Sequence, residues 1–456
     1  MNNNVKRESK DRKIDMLNGS ILDKLLLFAL PLAASSILQQ LFNSVDVAVV
    51  GKFASSKAQA AVGCNGAVIN LILNLFVGIS VGANVVIARY IGENKLEKIK
   101  SAVSTSMIVA GVSGIFLLIF GILISKNILT WMDTPEDIID YAILYLRIYF
   151  LGVPFIMIYN FGAAILRSVG DTKRPLYCLA LSGVINAVLN MILVIVFHLG
   201  VAGVAISTVI SNVISSSMVL YFLINEEGYI KLSIKELFIS KDDLKSMLKI
   251  GLPAGLQSVV FSLANVCIQT SLNGFGSDAV AGSAVTLNYE CYCYFVVSAF
   301  TQTAVTFTSQ NFGAKRYERC KKIFIRALAM SILVSYGFSL FFLFGKSFFI
   351  SLFTSEPEVI RYASIRMIHL FSCYMLVSLY EISGGALRGM GYSMTPTVLT
   401  IFGTCILRLV WISTVCKWYT GFETLMNVYP VSWTITGIMV LISYITIRKK
   451  LFVQTV

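Results

Sequence analysis

The chain has 456 residues, a net charge of +13 and a mean hydropathy of +0.77, with 56% hydrophobic and only 13% charged residues. A soluble chain carries roughly a quarter charged residues, so a water-soluble globule is excluded. The excess of Lys and Arg then belongs to loops on the cytoplasmic side of a membrane rather than to a nucleic-acid surface.

A polar, basic segment, residues 1–20, opens the chain with Lys6, Arg7, Lys10, Arg12 and Lys13. It has no apolar core or cleavage site of a signal peptide, so the first span is expected to act as an uncleaved anchor. Uncharged runs follow at 58–88, 101–125, 148–166, 251–277, 327–345 and 424–447, and 175–225 has no Asp, Glu, Lys or Arg at all. A helix crosses a bilayer with about 20 apolar residues, and these runs are near or above that length. Barrel strands would instead read as alternating segments of about ten residues. The expectation is an all-α polytopic membrane protein of twelve spans: 24–50, 59–90, 100–125, 139–165, 175–197, 200–224, 245–273, 279–311, 321–345, 358–387, 395–416 and 425–447.

Charge in the loops supports that count. Basic residues gather in the even-numbered loops and the tail, from Arg89, Lys95, Lys98 and Lys100 through to Arg448, Lys449 and Lys450. The third loop, "WMDTPEDIID", is acidic. Both termini are therefore expected on the cytoplasmic side. The nine cysteines form no CxxC pair, and His198 and His369 have no metal-binding spacing, so cysteine reads as small apolar filler.

The chain also repeats itself. "AILRSVGDTKRP" at 164–175 matches "GALRGMGYSMTP" at 385–396, and "LPLAA" at 30–34 matches "LPAGL" at 252–256, at offsets of 221 and 222. Two six-helix halves of the same orientation are the parallel repeat of transporters, in which two lobes rock about a central site. The expected division is an N-lobe at 21–225, a cytoplasmic linker at 226–243 and a C-lobe at 244–456. Pro31 and Pro253 mark equivalent bending points in the first and seventh spans, and so candidate hinges.

Among the charged side chains inside the spans, four stand out as candidates: Asp46, Glu290, Glu381 and Arg408. Such residues are expensive in a bilayer and are functional candidates by default. Asp46 is a candidate for loading a proton or holding Na⁺, against a plain carboxylate at a helix end near Lys52. At 1.5 Å per residue, Arg408 lies roughly 20 Å from one end of its span and Glu290 roughly 30 Å, while Glu381 lies near the end of span ten. Two pairings stay open for Arg408, with Glu290 or with Glu381, as does a role for either acid with a cationic substrate. Arg167 and Arg388 read as anchors at span ends. The repeat places Ile268 opposite Asp46 and Asn265 opposite Asn43, so the acid belongs to one lobe only.

"LPLAASSILQQLFNSVDVAVVGKFASSKAQAAVG", "GLPAGLQSV", "ILRSVGDTKRP", "GVAGVAIST" and "ALRGMGYSMTP", in this order and spacing over residues 20–450, resemble the multidrug and toxic compound extrusion (MATE) family. The resemblance implies a twelve-helix antiporter that exports amphipathic, often cationic drugs in exchange for inward H⁺ or Na⁺ by alternating access. It implies no other cofactor, a monomer in the plasma (bacterial inner) membrane, and drug-like small molecules and lipid as partners. "FNSVD" is similar to the coupling-acid segment of the DNA-damage-inducible branch. That branch sets polar groups on spans five and six around the acid, which places Asn186, Asn190 and Thr208 with Asp46 as the coupling and Na⁺-holding set. The family often has an aspartate where Asn190 stands. An amide cannot carry a proton or supply anionic charge, which favours H⁺ over Na⁺. The branch with a span-seven glutamate would place it at Phe261, so the chain does not fit that branch.

The loop "RYIGENKLEKIK" lacks the GxxxDRxGRR-like pattern of the major facilitators, and no Walker A motif is present. A lipid-linked precursor flippase of related architecture is the second reading, and a membrane sensor or channel the third. No nucleophile–base or metal set suggests an enzyme.

Overall fold

A computed structural model describes residues 13–453 except residue 133, and among these every regular element is helical. The basic residues Lys6, Arg7, Lys10 and Arg12 lie outside the described residues. The principal helices are α1 (Ile21–Phe53), α2 (Ser56–Gly92), α3 (Leu96–Trp131) and α4 (Ile139–Ser168). There follow α5 (Lys173–Val196), α6 (Gly200–Ile224), α7 (Lys241–Asn273) and α8 (Ser277–Gly313). The chain ends with α9 (Tyr317–Phe344), α10 (Pro357–Phe371), α11 (Met375–Gly389), α12 (Met394–Trp418) and α13 (Phe422–Leu451).

Ten of these helices are long and apolar enough to cross a membrane, and α10 with α11, bent by 47° at a short break, makes an eleventh. The span expected at 279–311 is α8, which is long enough at 37 residues but too polar to join them. The cause is a buried run of hydroxyl and amide side chains, from Thr301 to Asn311. Thr301, Thr303 and Thr306 donate back to the carbonyls of Val297, Ala299 and Gln302 at 2.9, 2.7 and 3.0 Å. Hydroxyls satisfied within their own helix need no water, so the run tolerates apolar surroundings. Elsewhere large apolar side chains such as Leu123, Trp131 and Phe344 point outward, 74%, 74% and 85% exposed, as a lipid-facing surface requires.

The described residues form two compact units: Leu30–Gly255 with residues 13–15, and Met16–Ala29 with residues 256–453. In the first, α4 packs on α2, α3 and α6; in the second, α10 and α11 hold the corresponding place against α8, α9 and α13. The chain changes unit inside α1 and inside α7, beside Pro31 and Pro253. Residues 21–29, in the N-lobe by sequence, thus pack in the second unit, and 244–255 in the first.

Each transferred segment has its own packing. In the first unit "GISVG" of α2 faces "GLPAG" of α7. A Cβ on Gly78 would stand 2.4 Å from the Gly255 Cα, and one on Gly82 2.2 Å from the Met247 carbonyl oxygen. Only glycine allows backbones this close, the arrangement used by small-residue helix crossings in lipid. In the second unit, Phe28 meets Phe307 edge to face with ring centroids 5.4 Å apart, and Asn311 Nδ2 donates to the Met16 carbonyl at 3.1 Å.

An ion cluster closes the end of α6. Lys13 Nζ and Arg174 Nη1 donate to the two oxygens of Glu226 at 2.6 and 2.7 Å, and Arg174 Nε also bonds Asp171. Burial alone would raise the Glu226 pKa, but the hydrogen bonds from Lys13 and Arg174 outweigh it and hold the carboxyl below its ordinary range.

Candidate functional site

Asp46 stands in the apolar half of α1 that belongs to the first unit, and is 8% exposed. Asn186 and Asn190 lie four residues apart on α5, which sets them on one helix face, and both are buried. Thr208 comes from α6. The structure brings all four together. Asn190 Nδ2 donates to Asp46 Oδ1 and lies 3.4 Å from Asn186 Oδ1. Asn186 Nδ2 is 3.5 Å from Thr208 Oγ1, which is itself 3.5 Å from Asp46 Oδ2. Thr208 has one hydroxyl hydrogen, and the Val204 carbonyl at 3.0 Å is the better acceptor for it.

Two features of this cluster bear on its chemistry. No Lys or Arg pairs with Asp46 among the described residues; Lys52 lies over the Phe53 ring instead. Asn190 Oδ1 is buried and accepts no hydrogen bond. The surrounding groups are oxygens and amides, able to hold a proton or a hard cation. Among the described residues no three His, Cys, Asp or Glu gather as a metal cluster, and a single carboxylate with neutral oxygens is a different kind of site.

The second unit holds the other three charged candidates, in an arrangement different from either expected pairing. Arg366 of α10 bonds Glu290 of α8, Nη2 to Oε2, at 3.3 Å. Arg408, 1% exposed, takes neither Glu290 nor Glu381. Its Nε donates to Ser432 Oγ at 3.3 Å and its Nη1 to Asn265 Oδ1 at 3.2 Å. Its guanidinium lies over the rings of Phe261 and Tyr429, 5.3 and 4.7 Å from their centroids. Glu381, half-buried in α11, forms no ion pair among the described residues.

The reason is geometric. Arg366 stands on α10, which packs on the helix of Glu290, and a predicted span fixes depth but not which face its residues present. Arg366 was the partner missed from sequence. An arginine well inside a predicted span carries the same signal as Arg408 and would have exposed it. Arg388, expected as an anchor, is buried and donates to Gln257 Oε1 at 2.7 Å.

Pro31 and Pro253 lie inside continuous helices, where each leaves the carbonyl four residues back, on Leu27 and Lys249, without its usual backbone donor.

The MatE family matches this chain twice, over residues 31–192 and 253–412, with starts 222 residues apart, as the repeat requires. The chain is 27% identical to "Probable multidrug resistance protein YoeA" of Bacillus subtilis (strain 168), over 94% of this chain and 95% of that one. It is 26% identical to "Probable multidrug resistance protein YpnP" of the same organism, over 89% and 90%. Its fold matches a structure described as "Outward-facing conformation of a multidrug resistance MATE family transporter of the MOP superfamily", with a TM-score of 0.90 and 21% identity over 96% and 98% of the two chains. Matched in both halves and along nearly its whole length, the chain belongs to the MatE family: it is a multi-pass membrane transporter and not an enzyme.

Proposed function

We propose that the protein is a secondary active antiporter that exports amphipathic, drug-like molecules across the plasma membrane, driven by inward flow of H⁺ through Asp46. The observation that carries this reading is a buried carboxylate with no basic partner, held only by neutral groups of α5 and α6. The multidrug-resistance names of its relatives support the cargo class.

The cluster suits a proton. An amide presents its NH₂ to a carboxylate and its oxygen to a neutral acid, so rotation of the Asn190 side chain satisfies either state of Asp46. Loading from one side and release to the other then couples to exchange by alternating access. The unbonded Asn190 Oδ1 favours Na⁺ as the second reading, since it adds an oxygen ligand to Asp46, Asn186 and Thr208. Twelve spans follow if α8 crosses with the eleven apolar ones, and the basic loops then set both termini inside the cell. Pro31 and Pro253, where the chain passes between units, are the hinges of this scheme. The chain works as a monomer. A lipid-precursor flippase calls for several free cations in its cavity, and Arg366 is engaged by Glu290.

Expression in cells stripped of their own pumps lowers accumulation of ethidium and related cationic dyes. Unchanged accumulation across a broad dye panel overturns the export reading.

A further inference from the structure

The polar clusters of the two units use matching elements: the first, fifth and sixth helices of each half. In the first unit these are α1, α5 and α6, and in the second α7, α12 and α13. Their chemistry is reversed. In the first, a carboxylate on the first helix accepts from an amide on the fifth. In the second, a guanidinium on the fifth helix, Arg408, donates to an amide on the first, Asn265. Ser432, its other partner, is the repeat counterpart of Ser211 on α6.

Arg408 is among the largest fully buried side chains of the protein, and its charge is met only by neutral groups. A guanidinium has five N–H donors, and two are used here. Leaving a buried charge without a counter-charge is costly, and amide oxygens and ring faces offset that cost only in part. The arginine is also set in place by an unusual backbone. A π-helical stretch, Ile401–Ile406, ends just before it, and such stretches are frequent at functional sites. The equivalent helix α5 has one at Ile192–Val196, just after Asn190.

Asn265 is exposed and covers this buried cation with its side-chain oxygen. That oxygen stands where an oxygen of a carboxylate would stand. The planar fork of arginine matches a carboxylate with two parallel hydrogen bonds, stronger than the bond to a neutral amide. The Phe261 ring beside the guanidinium is partly exposed and offers apolar surface to the rest of such a ligand, while the buried Tyr429 ring backs the guanidinium.

We infer that Arg408, with Asn265 as a displaceable cap and Phe261 as a wall, is a binding site for the carboxylate of an aromatic, amphipathic ligand. This rests on the transport reading in naming the chemistry of part of the cargo. It gives the second unit an anion site matched to the cation site of the first, and makes zwitterionic and acidic aromatics substrates beside cationic ones.

The test is equilibrium dialysis of the purified full-length protein in detergent with 2-naphthoate and with its uncharged methyl ester. The wild type is expected to prefer the acid by on the order of tenfold, the scale of one charge-assisted contact. Arg408→Gln is expected to bind acid and ester alike. Asn265→Ala, which removes the competing oxygen from an exposed position, is expected to tighten acid binding about threefold and leave the ester unchanged. Should Arg408→Gln fail to give a monodisperse protein, Asn265→Ala decides alone. Equal binding of acid and ester by the wild type, a retained preference in Arg408→Gln, or weakened acid binding in Asn265→Ala each overturns the site. Dialysis needs no gradient, so the readings separate. Acid preference without dye export leaves the site standing and removes the exporter. Dye export with equal binding removes the site alone.

Discussion

The Asp46 cluster and the Arg408 cluster occupy equivalent helices of the two halves, yet one is built around an acid and the other around a cation. The repeat supplies the frame: helix order, the paired prolines and the small residues that let helices meet. It does not supply the chemistry. Ile268 stands where the first half has Asp46, and Ala187 where the second half has Arg408. A duplicated scaffold has thus kept its packing and diverged in the one feature that costs most in a bilayer, a buried charge. Side chains of opposite charge thus stand on matching sets of helices, at positions the repeat does not equate.

The comparison breaks most visibly at Asp46. Asp46→Asn is expected to leave a folded protein that still binds dye, with gradient-driven efflux reduced to the level of protein-free vesicles. The next largest effect belongs to the second unit, where Glu290 and Arg366 neutralise each other at 3.3 Å. Glu290→Gln strands a buried guanidinium at an expected cost of about 3–5 kcal/mol, seen as a lowered melting temperature in detergent. The double variant Glu290→Gln, Arg366→Met is expected to recover most of that loss. No such rescue is expected at Arg408, whose partners are neutral.

Glu226 tests a charged cluster outside both. Its folded-state pKa lies below the ordinary 4.5, so its contribution is fully present at neutral pH and is lost as pH falls through the folded-state value. Glu226→Gln is expected to cost about 2 kcal/mol at neutral pH, with the gap to wild type closing in acid below pH 4.5. Melting curves across that range measure it. The smallest effect is expected at Thr208, 3.5 Å from the Asp46 carboxylate. Thr208→Val should slow efflux by less than about tenfold, since it removes a long contact and no charge.

Much of the architecture was legible in sequence because it is written in local composition. Uncharged runs gave the apolar spans, and the 221-residue repeat gave two matched halves. The four residues set around Asp46 were legible only through the family resemblance, since nothing in the spacing of residues 46, 186, 190 and 208 brings three helices together. The pairings of the second unit were not legible. Arg408 and Glu290 lie at depths that permit contact, and the rotation of α10 gives Glu290 to Arg366 instead. The passage of α1 and α7 between units was equally hidden: the prolines mark the places, but which surface receives each half-helix depends on fits such as Gly82 against Met247.

The most direct measurement is dye efflux from proteoliposomes holding the wild type or Asp46→Asn, under H⁺ and Na⁺ gradients imposed separately. The expectation is that the H⁺ gradient drives efflux by the wild type and that no gradient drives it in Asp46→Asn. Efflux by the variant equal to that of the wild type, or efflux by the wild type that ignores both gradients, would contradict it.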